Sequence, residues 1–246
     1  HAALESPARL VLAVRGGYGL TRLLDAIDWQ ALGRAARSGR KLFIGHSDFT
    51  VFHLALLAKG KAVSFAGPMA AYDFGGKTVS AFTERHFWGL LGAHEYGVTV
   101  RAARQPRVAV EGTLWGGNLA MVASLVGTPW WPKVRDGVLF LEDVNEHPYR
   151  VERMLYQLHH AGILAQQRAV LLGDFSGYQL AANDNGYDFD RMVAHARGRF
   201  GVPILTGLPF GHCPDKLTLP VGGHVVLESM RGGYRLEMSR YPTLAA

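Results

Sequence analysis

Short, uniformly apolar runs alternate with helix-spaced apolar stripes along this chain. Leu10-Val11-Leu12-Ala13-Val14 stops at Arg15-Gly16-Gly17-Tyr18-Gly19, which predicts a parallel strand buried on both faces and then a glycine-rich turn. From Leu20 to Ala36 apolar residues recur at helical spacing (Leu23, Leu24, Ile27), predicting one helix. Lys41 to Ile44 reads as a second strand, Gly45-His46-Ser47-Asp48 as a tight turn, and Phe49 to Ala58 as a helix that ends at Gly60. Strand, helix, strand, helix in this order predicts an α/β fold with a parallel sheet.

Residues from about Val98 to Val110 include Arg101, Arg104, Gln105, Pro106 and Arg107 and predict a polar connection. Placing the boundary there gives a first α/β domain over residues 1–104 and a second over 105–246. Gly112-Thr113-Leu114-Trp115-Gly116-Gly117-Asn118-Leu119 reads as another glycine-rich turn into a helix. Val138 to Leu141 is an apolar strand with Glu142-Asp143 at its end. A helix follows with Pro148 near its start and a stripe of Val151, Met154, Leu155 and Leu158, ending at Gly162. A strand (Ala169 to Leu172), a helix (Phe189 to Arg199) and a strand (Ile204 to Thr206) come next. The tail alternates like strands, with Gly222-Gly223 and Gly232-Gly233 expected as hairpin turns.

Composition narrows the functional classes. Hydrophobic residues are 48% and charged residues 19% of the 246, an ordinary balance for a packed core and not for a disordered chain. No apolar run approaches the roughly 20 residues of a membrane helix, and no signal-peptide pattern opens the sequence, so a cytoplasmic location with no membrane partner is expected. The net charge is +6, but its Arg and Lys are scattered and no basic run or aromatic-interleaved motif accompanies them, which argues against nucleic acid. Cys213 is the only cysteine, which excludes an internal disulfide and a cysteine-built zinc site. No carboxylate–histidine cluster with metal-ligand spacing is evident (His159 and His160 are adjacent on one helix), so no metal and no cofactor are expected.

Ser47 lies where a buried strand turns into a helix, a position that raises a hydroxyl above the sheet beside free helix-end amides. An ordinary helix N-cap explains the same residue, and position 49 is Phe, so the G-x-S-x-G elbow is absent. Glu142 ends an apolar strand, the edge of an α/β sheet where ligands collect; a partner for Arg150 or Arg153 is the plainer reading. His212 sits in Pro209-Phe210-Gly211-His212-Cys213-Pro214, just after a strand, and Cys213 beside it reads as a bystander.

Taken together, these segments resemble a known family. Val14-Arg15-Gly16-Gly17-Tyr18-Gly19, Gly45-His46-Ser47-Asp48-Phe49-Thr50, Gly112 to Leu119, Leu141 to Arg150 and Gly207-Leu208-Pro209-Phe210-Gly211-His212 are similar, in order, to the blocks of the LD-carboxypeptidases. The resemblance implies an N-terminal parallel-sheet domain of Rossmann or flavodoxin type and a C-terminal mixed α/β swivelling domain, with the active site between them. It implies Ser47 as nucleophile, His212 as base and Glu142 as its acid. Gly17 and Asp48 would supply oxyanion amides, and Gly16 and Asn118 would face substrate; turn geometry is the alternative for Asn118. The implied reaction is metal-free release of terminal D-Ala from a murein tetrapeptide in peptidoglycan recycling, by a possible homodimer.

The resemblance also implies a strand, a long helix and a second strand ahead of the R-G-G-Y-G block. Most of that is missing, so the sequence reads as shortened at its start. Two other functions fit the same motifs. One is a serine hydrolase of peptidyl-nucleotide antibiotics conferring self-immunity; the other is a non-catalytic module binding an anionic peptide in its glycine-rich turns.

Overall fold

In the computed structural model, which describes residues 2–245, the apolar runs of the first half pair side by side. After a short helix α1 (Ala2–Glu5), strand β1 (Leu10–Leu12) lies parallel to β2 (Leu42–Gly45), which lies parallel to β3 (Ser64–Ala66). β2 and β3 are buried along their length. β1 is only half-buried and Val14 beyond it is 66% exposed; among the described residues β1 stands at one end of the strand order, paired with β2. The strand expected from Leu10 to Val14 is present over Leu10–Leu12, with its side chains half-buried rather than buried.

The helix expected from Leu20 to Ala36 is two pieces, a 3-10 segment over Leu20–Ala26 and α2 (Trp29–Arg37). Ile27 is extended between them, and Asp28 accepts a 2.9 Å hydrogen bond from the Ala31 amide, starting a new helix. After β2 the chain makes a 3-10 turn over Ser47–Phe49 and enters α3 (Thr50–Ala55), which ends in a π-helical turn at Leu56–Gly60. A second π-helical turn (Ala70–Phe74) and α4 (Ala81–Leu91) follow β3.

The remaining strands build a seven-stranded mixed sheet. They are β4 (Tyr96–Arg101), β5 (Ala109–Asn118), β6 (Gly137–Val144), β7 (Gln167–Ser176), β8 (Ile204–Leu205), β10 (His224–Met230) and β11 (Gly233–Ser239), in the order β4-β11-β10-β5-β6-β7-β8. The β5-β6-β7-β8 half is parallel, with helices α5 (Leu119–Ser124), α6 (Pro148–His160) and α7 (Phe189–Arg199) in its connections. The β4-β11-β10-β5 half is antiparallel. Strand β9 (Leu219–Val221) leaves this half of the chain to pair antiparallel with β3, so the two sheets share a strand connection.

Three local expectations give way to these pairings. Gly112 to Asn118 is strand β5, not a turn; Gly116 and Gly117 have φ of +136° and +137°, and a β-carbon on Gly116 would fall 1.9 Å from the Phe140 carbonyl oxygen. The polar connection expected from Val98 to Val110 is shorter, residues 102–108, because residues 98–101 end β4 and residues 109 and 110 start β5. Gly222-Gly223 joins β9 to β10, which lie in different sheets, and is no hairpin, whereas Gly232-Gly233 does turn the β10-β11 hairpin. By pairing, β4 on the N-terminal side of residue 104 belongs with the second sheet, and β9 beyond it belongs with the first.

Candidate active site

Three chain segments far apart in sequence end at one place. The first is the turn leaving β2, where Ser47 has φ +60°, a left-handed conformation that a non-glycine residue holds only when its surroundings impose it. The helix that follows is clamped to the second sheet: the Asn118 amide donates to Thr50 Oγ1 at 2.9 Å, and a β-carbon on Gly117 would lie 2.4 Å from that oxygen.

The second segment is β6. Successive side chains on a strand point to opposite faces, so Glu142 and Asp143, both buried, serve different neighbours. Glu142 faces the third segment, the loop after β8. Gly211 in that loop has φ +139°, and a β-carbon there would come 2.9 Å from Asp174 Cβ and 3.2 Å from Glu142 Cβ. Only a glycine lets the loop lie this close to the carboxylate.

His212 follows. Its Nδ1 is 2.8 Å from Glu142 Oε2, and its Nε2 is 3.1 Å from Ser47 Oγ. A carboxylate can only accept, so Nδ1 carries the proton, Nε2 is left as the acceptor, and the serine hydroxyl donates to it. Burial pulls the His212 proton affinity down, but the hydrogen bond and charge of Glu142 outweigh it, and the net shift is upward. The second Glu142 oxygen has no hydrogen-bond partner among the described residues, and His212 Nδ1 is the one donor they offer to this carboxylate.

The fold brings Ser47, Glu142 and His212 into one relay. Gly16 abuts it: a β-carbon there would lie 2.7 Å from Ser47 Cβ. Gly17 is more open, with nothing within 4 Å of where a β-carbon would stand, and its amide has no acceptor among the described residues. The Asp48 carboxylate lies 3.5 Å from Ser47 Oγ.

Asn118 departs from its expected substrate-facing place. It is buried, its Oδ1 accepts from the Met121 amide at 3.2 Å, and its Nδ2 donates to Asp143 Oδ1 at 2.9 Å. The structure uses it to cap α5 and orient Asp143, which also accepts from the Ala120 and Val144 amides. Burial, opposed by those hydrogen bonds and helped by Glu142, pushes the Asp143 carboxyl up to about 6. Cys213 donates to the Asp215 carbonyl, and burial, then the Asp174 charge, push its thiol up to about 11, so it stays protonated at neutral pH.

Sequence reasoning passed over His46, Asp73, Asp143 and Lys216 as parts of this region. His46 is buried, donates from Nδ1 to the Gly67 carbonyl at 2.9 Å and packs edge-on to His212 with ring centroids 5.2 Å apart. Burial, then the Lys216 charge, lower its pKa to about 3, so it stays neutral beside the relay. Period-two alternation could have separated Asp143 from Glu142. The pairing of Asp73 with Lys216 had no local signal.

Comparison with known proteins places the chain in a family. The family model described as the LD-carboxypeptidase N-terminal domain matches residues 1–67, and that of the LD-carboxypeptidase C-terminal domain matches 111–227. A murein tetrapeptide carboxypeptidase of Pseudomonas aeruginosa is 31% identical over 241 residues, covering 94% of this chain and 76% of the relative. The crystal structure of a muramoyltetrapeptide carboxypeptidase from Oxalobacter formigenes superposes with a TM-score of 0.93 at 51% identity, over 98% of this chain and 81% of that one. The microcin C7 self-immunity protein MccF shares the fold, with a TM-score of 0.84 at 21% identity over 98% of this chain and 79% of its own. With both halves matched in order along the sequence, this chain belongs to the LD-carboxypeptidase family.

Proposed function

We propose that this protein is a serine-type LD-carboxypeptidase that releases terminal D-Ala from murein tetrapeptides. The observation that carries the reading is the Ser47–His212–Glu142 hydrogen-bond relay. His212 Nε2 takes the Ser47 proton as Oγ attacks the scissile carbonyl, while Glu142 holds the tautomer and stabilises the imidazolium. The amides of Gly17 and Asp48 receive the oxyanion. His212 then protonates the leaving D-Ala nitrogen, and water, deprotonated by the same imidazole, releases the acyl group from Ser47. Apart from the substrate and the attacking water, the groups in these steps are side chains or amides of the chain itself.

The substrate class follows the relatives with the greater identity, both named for murein or muramoyl tetrapeptides. Cytoplasmic peptidoglycan recycling is the setting we assign; no helix among the described residues is long and apolar enough to cross a membrane. The test is incubation with murein tetrapeptide, with a peptidyl-nucleotide as the comparison substrate, measuring D-Ala release and labelling by a fluorophosphonate. D-Ala release lost in Ser47→Ala supports the reading. Preferential cleavage of the peptidyl-nucleotide would transfer the protein to the immunity class.

A further inference from the structure

We propose that Lys216 is a positioning residue for this reaction, its buried ion pair with Asp73 fixing the His212 loop against the segment that backs the Gly16–Gly17 turn. The proposal rests on the serine-hydrolase reading above.

Lys216 lies four residues after His212, and its side chain is fully buried, as is nearly all of Asp73. Its Nζ is bonded to Asp73 Oδ1 and stands 5.4 Å from the centroid of the Tyr72 ring. The Lys216 amide donates to Thr83 Oγ1 at 2.9 Å, and the Leu217 amide donates to the Pro209 carbonyl at 2.7 Å, closing the loop that carries His212. On the other side, Asp73 Oδ2 accepts from the Met69 amide at 2.7 Å. The Ala70 and Ala71 amides then donate to the Ala13 and Val14 carbonyls, each at 2.9 Å. Val14 leads into Gly16, and Gly16 touches Ser47. These contacts form a closed ring, from His212 through Lys216 and Asp73 to the strand end and back to Ser47.

Stability alone does not call for this arrangement. A buried ion pair desolvates two charges, and an apolar pair of similar volume commonly stabilises a fold as well or better. The ion pair adds direction, through a hydrogen bond that fixes the approach of two loops, and a fixed cation near the base. Charged and titratable groups facing His212 come from every side. They are Glu142 and Asp143 on β6, Asp174 on β7, His46 and Asp48 at the β2 turn, and Cys213 and Lys216 on its own loop. Lys216 is the one permanent cation among these groups.

The two halves of the pair therefore act on His212 with opposite sign. Lys216→Met removes the cation, lets His212 hold its proton more firmly and moves the acid limb of kcat/KM to higher pH. Asp73→Asn leaves the cation less compensated and moves the limb to lower pH. Each shift should be roughly half a pH unit or more. In both variants kcat per serine titrated by fluorophosphonate should fall roughly tenfold or more while KM changes little, as displaced catalytic groups require. Opposite shifts with reduced kcat per titrated serine support the proposal. Limbs that stay in place or move together, or an unchanged kcat per titrated serine, overturn it, and so does a lesion confined to the fraction of titratable enzyme. Ser47→Ala is assayed alongside: if it still turns over, the serine reading fails and not the role of Lys216. Should Lys216→Met not fold, Asp73→Asn and Lys216→Arg carry the comparison: the limb moves to lower pH with reduced kcat in Asp73→Asn, and in Lys216→Arg, which keeps the cation, limb and kcat stay close to native, any other pattern overturning the proposal.

Discussion

Gly16 lies so close to Ser47 that a β-carbon on it would stand 2.7 Å from the serine's own β-carbon and 3.1 Å from its hydroxyl oxygen. The glycine-rich turn after β1 and the turn after β2 are thus one packed unit. Gly16→Ala has to move the serine, the His46 carbonyl at 3.2 Å, or both. A displacement of about 1 Å at a reacting atom can cost on the order of a hundredfold in rate, so kcat/KM should fall by roughly that factor with a small change in melting temperature. A near-native rate in Gly16→Ala would show that the turn does not position Ser47.

Ser47→Ala deletes the proposed nucleophile and one hydrogen bond, leaving the backbone path of the turn in place. Turnover should drop by roughly 10⁴-fold or more. Unfolding free energy should change by only about 1 kcal/mol. Persistent D-Ala release in the purified variant would remove Ser47 from the mechanism.

Proton affinity at His212 gives a directional test. Burial lowers it, the Glu142 hydrogen bond and charge raise it by more, and the net pKa lies above the ordinary 6.5. A base must be neutral to act, so the acid limb of kcat/KM should have its midpoint above 6.5. Glu142→Gln removes the Glu142 charge and weakens its hydrogen bond, leaving only the smaller raising effect of Asp143; the limb should move to lower pH, and the rate should fall roughly 10³- to 10⁴-fold through loss of tautomer control. An unmoved limb would mean that another group titrates there.

Acid stability should depend on two histidines outside the relay. His53 is fully buried, donates from Nε2 to the Gly45 carbonyl and accepts at Nδ1 from the Ser64 hydroxyl; burial lowers its pKa to about 4. His46 is lowered to about 3. The unfolded chain protonates both near 6.5, so it binds more protons than the native state below that pH. Their stability contribution is complete above 6.5 and is lost as pH falls toward 4 and 3. For His53 the full loss is on the order of 3 kcal/mol. Denaturant midpoints should decline through this window, and His53→Gln should flatten the decline; an equally steep slope in that variant would assign the acid sensitivity elsewhere.

Exo-specificity requires recognition of a free terminal carboxylate. Amidating the peptide's C-terminus removes its charge. Loss of a charge-assisted hydrogen bond lowers kcat/KM at least roughly tenfold. Replacing terminal D-Ala by L-Ala directs the methyl group into the space the carboxylate occupies and should abolish turnover. Efficient cleavage of either peptide would mark an endopeptidase or a non-stereospecific hydrolase.

Much of this architecture was legible because it is local. Apolar runs such as Leu42 to Ile44 and Val138 to Leu141 form strands wherever they are buried, and the stripe of Val151, Leu155 and Leu158 needs only helical periodicity to face a core. The two caps were not legible in the same way: Asp28 starts α2 inside what the spacing predicts as one helix, and Asn118, expected to face substrate or to shape a turn, caps α5. Ser47, Glu142 and His212 were visible through the blocks around them, Glu142 near the end of β6 and the other two in the loops after β2 and β8.

What the sequence by itself determined, then, is most of the order of strands and helices outside residues 61–118, and the chemistry available at their ends. Tertiary structure alone decided which strands meet. Gly116 and Gly117 read as a turn until the carbonyl of Phe140 and the side chain of Thr50 close in on them, and Gly222-Gly223 reads as a hairpin until β9 joins β3. It also decided that Lys216 would be buried on Asp73, 143 residues away, and that Ser47 would be held at a positive φ. Periodicity and capping are set by interactions within a few residues, whereas close backbone approach, strain and buried ion pairing arise only when segments with no sequence relation are packed against each other.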